Sequence, residues 1–589
     1  MSKGFETLHV KSAKKGFNPM DISRDHLTTL DFGQIGILAH EPCVPDDLMV
    51  YKANYFCRMA PLVKPTYGKF YFKTITAFCP YHMIAEDSDA FFAGRTQWQG
   101  KTPNLRWISF QSYWSFLYNY CLIAGTATSY DVAYVDSSGV QKYMSFTDIG
   151  KVYVKMLTQL GYTIPENIDL QPSSAWSAVS SKKLNVMPIL AFAKVYNDWM
   201  SQSQRYNTSQ LTSLLRSIKH NETVSGLYSS NALTPQGLLA LLQDILLCYE
   251  TGYFTSAWFH PNSPLSAGGQ GVANMSVPGA QNAGESKFIE NNTYGVLLQT
   301  ATIPTSLSQI SQRGLDFLQA FDNWVRRNNY AGSRTVQQIY ARFGIKTSDF
   351  RSNFAEIISS SKTRVTVGDV TATASSNSEP LGDYAGKGIM SSGDGAKYKC
   401  SDYGMFLVLG YFTVAPMYPY GFDKEVLKTE PLDFYNPEFD GLGASAISFG
   451  EVFENPKVLK TDSDSTIFSN VYGFTERYNE YRFGKDQLTG DFRNFDNLGD
   501  MNVWHTARLL TSLRLNGSMQ AQSASMIYLS NINSEFNRIF SITNGSVDHF
   551  YLTCEFDFSG TKRPMLNLNQ VPRLGEGDTT FARNGNVVS

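Results

Sequence analysis

The sequence predicts a mainly β fold with helical insertions, a mixed β-sandwich interrupted by a helical block. Three observations carry this reading. Apolar residues follow a period of two before residue 82 and again beyond about residue 386. Between them the period lengthens to that of a helix. The run YGMFLVLGYFTV (403–414) is apolar almost throughout, as a strand covered on both faces must be. Strands, then helices, then strands describe one β domain with an insertion.

Residues 1–25 read as a basic N-terminal arm, with Lys3, Lys11, Lys14 and Lys15 against Glu6 in its first part and few large apolar groups. Residues 26–82 hold the first strands. In KFYFKTITAF, Phe70, Phe72, Thr76 and Phe78 share one face and Lys69, Tyr71 and Lys73 the other. Pro42, Pro45, Pro61, Pro65 and Pro80 mark turns or edges.

Residues 83–385 form the helical and loop insertion. MPILAFAKVYNDWM places Ile189, Phe192, Tyr196 and Trp199 on one stripe. TPQGLLALLQDILLCYE opens with Thr234 as N-cap and Pro235 at the first helical position, and Leu238, Leu241, Leu242 and Ile245 then line one side. RGLDFLQAFDNWVRRNN repeats the idea with Leu315, Leu318, Phe321 and Val325. Residues 261–286, rich in Gly, Ser, Ala and Asn, read as a surface loop.

The remaining strands and their loops occupy 386–560. In DHFYLTCEFDF, Phe550, Leu552, Cys554, Phe556 and Phe558 face inward, with His549, Thr553, Glu555 and Asp557 outward. Residues 561–589 form an extended C-terminal tail with little to bury.

The length of 589 residues has room for about four ordinary domains, although one elaborate fold can run as long. Charged residues make up only 17% of the chain, against roughly a quarter in typical soluble domains, so much of the surface is expected to meet partners. A net charge of −2 excludes a generally basic coat but not a local basic arm. Seven scattered cysteines without a CxxC pair suit reduced, buried thiols. The N-terminus lacks the apolar core of a signal peptide, and no apolar run reaches the ~18 residues of a membrane span.

Catalytic signatures are missing. None of the eight histidines pairs with another histidine or a cysteine at metal-ligand spacing. No phosphate-binding or nucleophile-elbow motif occurs, and GGQG at 268–271 has no helix after it. Carboxylate pairs such as Asp46–Asp47 or Glu476–Glu480 suit solvated faces better than glycoside hydrolysis. The expectation is a non-enzymatic chain with no catalytic residue, cofactor or metal.

YGFTERYNEYRFGKDQLTGDFR (472–493) is formally neutral yet dense in aromatics and arginine. A surface gripping phosphate should be positive, whereas Tyr, Phe and Arg at neutral charge match interface composition. Packing within one domain is the alternative.

Several stretches together resemble the major capsid proteins of microviruses, small icosahedral single-stranded DNA phages, in their gokushovirus-like and Bacteroidetes-associated branches. FNPMDISRDHLTTLDFGQIGILAHEPCVPDDLM is similar to their entry segment, and CRMAPLVKPTYGKFYFKTITAFCPYHMI to their R-x-A-P-x-x-x-P block. MPILAFAKVYNDWM, YFTSAWFHPNSP, SRTVQQIYARFGIKTSDFR and PLGDYAGKGI resemble the blocks that follow. The 472–493 stretch with MNVWHTARLL resembles the last of them. The likeness runs in order from about residue 17 to 510. His82 stands where the family usually has arginine, and Trp258-Phe259-His260 replaces a proline-containing turn.

The resemblance implies an eight-stranded viral jelly roll with large insertions, one subunit per asymmetric unit of a T=1 icosahedral shell, joined to itself through pentamers. It implies packaged single-stranded DNA, small internal DNA-binding or scaffolding phage proteins, a host surface receptor, assembly in the host bacterial cytoplasm and residence in the virion. On that reading Lys11, Lys14 and Lys15 face the genome, unless the arm is merely solvated, and 261–286 is a protrusion for host contact. Arg477, Tyr478, Tyr481 and Arg482 become interface anchors with Glu480 as acidic partner, supported by Trp504 and His505. The alternatives are a carbohydrate-binding or glycoside-cleaving β-sandwich and, without visible repeats, a phage tail or spike component.

Overall fold

The computed structural model describes residues 17–100, 102–124, 132–135, 141–164, 181–201, 210–257, 354–371, 384–419, 421–440, 444–452, 471–494, 501–508, 528–530, 534–542 and 547–565, with short pieces elsewhere. The arm lysines Lys11, Lys14 and Lys15, the expected loop 261–286, the expected helix with Leu315, Leu318, Phe321 and Val325, and most of the tail lie outside the described residues.

The long strands are β1 (Arg24–Leu30), β2 (Ile35–Cys43), β3 (Leu48–Met59), β4 (Lys69–Pro80), β5 (Glu356–Arg364), β6 (Thr366–Thr371), β7 (Tyr384–Lys399), β8 (Gly404–Ala415), β9 (Ala444–Ser448), β10 (Val471–Glu476) and β11 (Phe550–Asp557). One sheet has the order β1–β11–β3–β7–β6, extended by the short strands Asn18–Pro19 and Lys562–Arg563; the other has the order β5–β4–β8–β2. Pairing is antiparallel: β1 with β11, β2 with β8, β3 with β7 and β4 with β5. The chain is thus a ribbon folded back on itself and then rolled, so that β3 also meets β11 and β4 meets β8. β5 and β6 are one strand crossing between sheets at the buried Val365, whose N–H donates to Phe70 O at 2.9 Å. Counting that bent strand once, the sandwich has the eight strands of a jelly roll.

Alternation explains why these strands roll. Along β3, Met49, Tyr51, Ala53, Tyr55, Cys57 and Met59 are buried while Lys52, Asn54, Phe56 and Arg58 are exposed. β8 is buried on nearly every residue because helices cover its other face. Rings lock the two sheets together: Phe412 of β8 stacks on Phe550 of β11 with centroids 4.0 Å apart, and Tyr55 of β3 meets Phe72 of β4 at 5.5 Å. Each fully buried ring contributes about 1.5–3 kcal/mol.

The connection from β4 to β5 carries α1 (Phe110–Phe116), α2 (Asp148–Gln159), α3 (Met187–Val195), α4 (Gln210–Lys219) and α5 (Pro235–Leu242). α2 shields the edge strand β2, where Gln159 Oε1 accepts from Ile37 N–H at 2.9 Å, and Gln159 Nε2 donates to Thr28 Oγ1 of β1 at 2.8 Å. Thr234 caps α5 as expected, accepting from Gly237 N–H at 3.0 Å, with Pro235 in the first turn. Arg106 ties the insertion together: its buried guanidinium reaches Asp87, Asn231 and Ile218 O at 2.9, 2.8 and 3.0 Å. All seven cysteines are free thiols.

Three local expectations change. α3 is buried all round rather than along one stripe, because it lies between sheet and insertion. A π-helical turn at Tyr196–Met200 swings Trp199 off that stripe, and its Nε1 donates to Ala355 O at 2.6 Å. Strands resume at Glu356, ahead of residue 386.

The third change concerns His549. It was expected to face outward; instead it is fully buried, stacked on Phe540 at 4.1 Å. Nδ1 lies 3.0 Å from Asp31 Oδ2 and Nε2 lies 2.8 Å from Ile542 O. Both neighbours are acceptors, so both ring nitrogens donate and the ring is an imidazolium. Asp548 is close by and is itself held by Lys155 of α2 at 2.5 Å. Burial alone would push the His549 pKa down; the Asp31 hydrogen bond and charge, Ile542 O and Asp548 outweigh it and hold it above the ordinary 6.5. A raised folded pKa stabilises fully below pH 6.5, and that stabilisation is lost as pH rises through the folded value. Denaturant unfolding of the subunit at pH 6 and pH 9 should therefore show lower stability at pH 9. His549→Leu should abolish this difference and destabilise by about 3 kcal/mol at pH 6, because Asp31 stays buried. An unchanged pH dependence in the variant would rule out His549 as its source.

Candidate subunit seam

The segment 472–493 sits in the long connection between β8 and β11. Its first residues form β10, paired with β9. Tyr472 belongs to a small second core with Tyr253, Phe254, Ala257, Ile447 and Val452. Beside that core stands Glu451, almost fully buried. Tyr253 OH donates to its Oε2 at 3.1 Å, Ser448 N–H donates to its Oε1 at 3.2 Å, and Lys424 and Lys485 approach it at 3.4 and 3.6 Å. The Lys485 ammonium also lies over the Tyr253 ring at 4.5 Å. Burial first, then the Glu451 charge, drives the Tyr253 hydroxyl far above its ordinary pKa, so it stays a donor. One carboxylate therefore clamps three chain segments around a cleft of about 430 Å³ lined by Phe422, Phe483 and Tyr418 among others.

Beyond β10 the chain turns at Tyr478, whose φ of 64° is left-handed. A tyrosine there is strained by about 1–2 kcal/mol. Its surroundings impose the conformation: the ring is buried edge-on to Tyr435 at 5.0 Å, and Asn436 N–H donates to its hydroxyl at 3.1 Å. Glu480 pairs at 3.2 Å with Lys428, which also donates to Tyr481 OH at 2.8 Å and lies 4.1 Å from that ring's centroid. Burial opposes the Lys428 charge, but its bonds to Glu425, Tyr481 and Glu480 outweigh it and raise the pKa. Arg482 pairs with Asp440 at 2.7 Å and Glu476 at 2.9 Å on the surface, and Arg477 lies over the Phe439 ring at 4.9 Å.

Every charge expected to reach a neighbouring copy thus has a partner within its own subunit. Trp504 and His505 support the other end of the segment: Trp504 stacks on Tyr67 at 5.9 Å, and Phe492 packs on Tyr67 and His505. Burial and then the Arg538 charge push the His505 pKa down to about 4, and the neutral ring accepts from Ala507 N–H at 3.2 Å.

The apolar side chains are the ones left outward. Phe422, Val426, Leu432, Phe434, Tyr435, Tyr481 and Phe483 are each between 44% and 68% exposed. Large apolar side chains are thus concentrated on the outside of this region. Sequence reasoning missed Lys428 and Glu451, single charges among many, and Phe434 and Tyr435. The one signal for the latter is the aromatic, proline-punctuated run PLDFYNPEF (431–439). Among the described residues no cluster of His, Cys, Asp or Glu is placed to hold a metal, and no helix is long and apolar enough to cross a membrane.

Replacing Glu451 with Leu should destabilise the subunit by on the order of 3–5 kcal/mol, since two ammonium groups lose their buried partner. Arg482→Ala, whose pairs are exposed, should change it by under about 1 kcal/mol. Chemical denaturation compares them directly. Equal losses would mean that Glu451 is not the clamp.

Comparison with known proteins matches the sequence of this chain to phage capsid proteins. The family described as capsid protein (F protein) covers residues 172–572. The capsid protein VP1 of Chlamydia phage 1 is 20% identical over 540 residues, which is 84% of this chain and 87% of that relative. The capsid protein VP1 of Bdellovibrio phage phiMH2K is 24% identical over 360 residues, 56% of this chain and 64% of the relative. With a jelly-roll sandwich, helical insertions and more than half its length matched, the chain belongs to the capsid protein (F protein) family.

Proposed function

We propose that this chain is the major structural subunit of a small single-stranded DNA phage and that its copies meet along the patch around Tyr481. The carrying observation is the aromatic patch itself: Leu432, Phe434, Tyr435 and Tyr481 stand outward while Lys428, Glu480 and Tyr478 hold their backbone from within. Rigid aromatics on a neutral, internally paired frame suit repeated burial against an identical neighbour. The family match does not favour the carbohydrate reading.

The finer picture is a T=1 shell built through pentamers in the host cytoplasm, aided by small internal DNA-binding or scaffolding proteins. In it Lys11, Lys14 and Lys15 lie toward the packaged strand and 261–286 toward a host receptor. The 42% hydrophobic, sparsely charged composition supports extensive burial between subunits.

Co-expression with the neighbouring phage genes, sedimentation and negative-stain microscopy test the shell directly. Wild type should give uniform small particles; a stable monomer with every phage gene present would refute the reading. Phe434→Ser combined with Tyr481→Ser should leave the subunit folded but lower particle yield at least tenfold, since interface anchors are each worth about 2 kcal/mol or more. Undiminished yield would remove the seam from this patch. Deleting 261–286 should spare particles while reducing adsorption to host cells; loss of particles would make that loop a connector.

A further inference from the structure

The two faces of the sandwich differ. Insertion helices cover the outside of the β5–β4–β8–β2 sheet, whereas the outside of the other sheet is exposed along β3, β7 and β11. Outward positions on β3 include Lys52, Phe56 and Arg58, and those on β7 include Lys387 and Lys397. No outward residue of β3 or β7 is acidic; the acids of this face, Asp25, Glu555 and Asp557, stand on β1 and β11. A chain of net charge −2 therefore concentrates cations on one half of one sheet face.

Rings interleave with these cations. Phe56 is 39% and Tyr551 42% exposed, and the Arg58 guanidinium lies 5.4 Å from the Phe56 centroid. Register sets Arg58 opposite Tyr551, Phe56 opposite Ser391 and, at the far end of the row, Lys52 opposite Asp557. Together with Leu27 these rings border a shallow concavity of about 630 Å³. Between Lys387 and Lys397 the outward positions are Ile389, Ser391, Gly393 and Gly395; the last three carry little or no side chain and leave a low floor beside Phe56, Asn54 and Lys52 of β3. From Lys52 to Arg58 the row runs roughly 20 Å at strand rise.

We propose that this half-face is a track for single-stranded nucleic acid, with Lys52, Arg58, Lys387 and Lys397 holding phosphates and Phe56 and Tyr551 stacking on bases. A basic groove with stackable rings binds a single strand without reading its sequence. The proposal rests on the shell reading, which supplies an enclosed strand for the face to meet. A second copy of this chain is the competing occupant, able to bring Asp25, Glu555 and Asp557 against the cations. The lysines that bracket the half-face disfavour it, because lysine is depleted in protein–protein interfaces.

The test uses the full chain with Lys52→Gln, Arg58→Gln, Lys387→Gln and Lys397→Gln combined, and separately Phe56→Leu with Tyr551→Leu. Fluorescence anisotropy of a labelled oligo-dT is measured across salt, together with nuclease-protected DNA per particle. The charge variant should flatten the slope of log K against log salt by about 3, as four lost phosphate contacts require. The ring variant should weaken binding at unchanged slope. Both should unfold at wild-type denaturant concentrations. Particles that form with unaltered DNA content, and oligo-dT binding with unaltered slope, would overturn the track and leave the shell reading intact. Salt-dependent binding lost in the charge variant of a chain that never forms particles would uphold the track and fail the shell reading. A change in the DNA-free subunit's sedimentation, with oligo-dT binding untouched, would assign the face to a second copy.

Discussion

The first long strand pairs with the last. Residues 24–30 lie against 550–556, and every other principal pair nests inside that one. A ribbon closed in this way permits large insertions only at its turns, and both occur there. The helical block leaves between β4 and β5, and the seam-bearing segment leaves between β8 and β11. Contacts so distant in sequence require long loops to close before they form, which makes folding slow relative to helical proteins of similar stability.

Rolling the ribbon then decides what each face does. One sheet buries its outer surface under helices and becomes the mechanical centre, with β8 covered on both sides. The other keeps polar and aromatic side chains outward. Within the sandwich, ring-on-ring contacts such as Phe412 with Phe550 join the sheets, and the His549–Asp31 pair holds the turn after β1 to the approach of β11.

The same economy of charge governs the outlying segment. Glu451, Lys428 and Arg482 are each paired inside the subunit, so their electrostatics shape a frame and leave aromatic surface for neighbours. Buried pairs are costly to break from one side yet add little attraction outward. That division explains how a neutral stretch can combine high order with exposed hydrophobic side chains.

Much of this was legible beforehand. Period two exposed the inward rows of β4 and β11, the apolar run exposed β8, and Thr234-Pro235 exposed the start of α5, because these signals depend only on nearest neighbours along the chain. The collinear motifs carried the family. His549 was misplaced because strand alternation is silent about a residue just before the strand, where a distant Asp31 decides burial. Lys428, the partner of Glu480, and Asp440, one of the two partners of Arg482, were equally hidden: they lie about forty or more residues away, and no periodicity links them. The sequence by itself determined which apolar rows of the strands must be buried and hence the β-sandwich with its insertion. Only the tertiary structure decided which charges meet and which faces stay open, since both depend on contacts that the rolled ribbon creates across hundreds of residues.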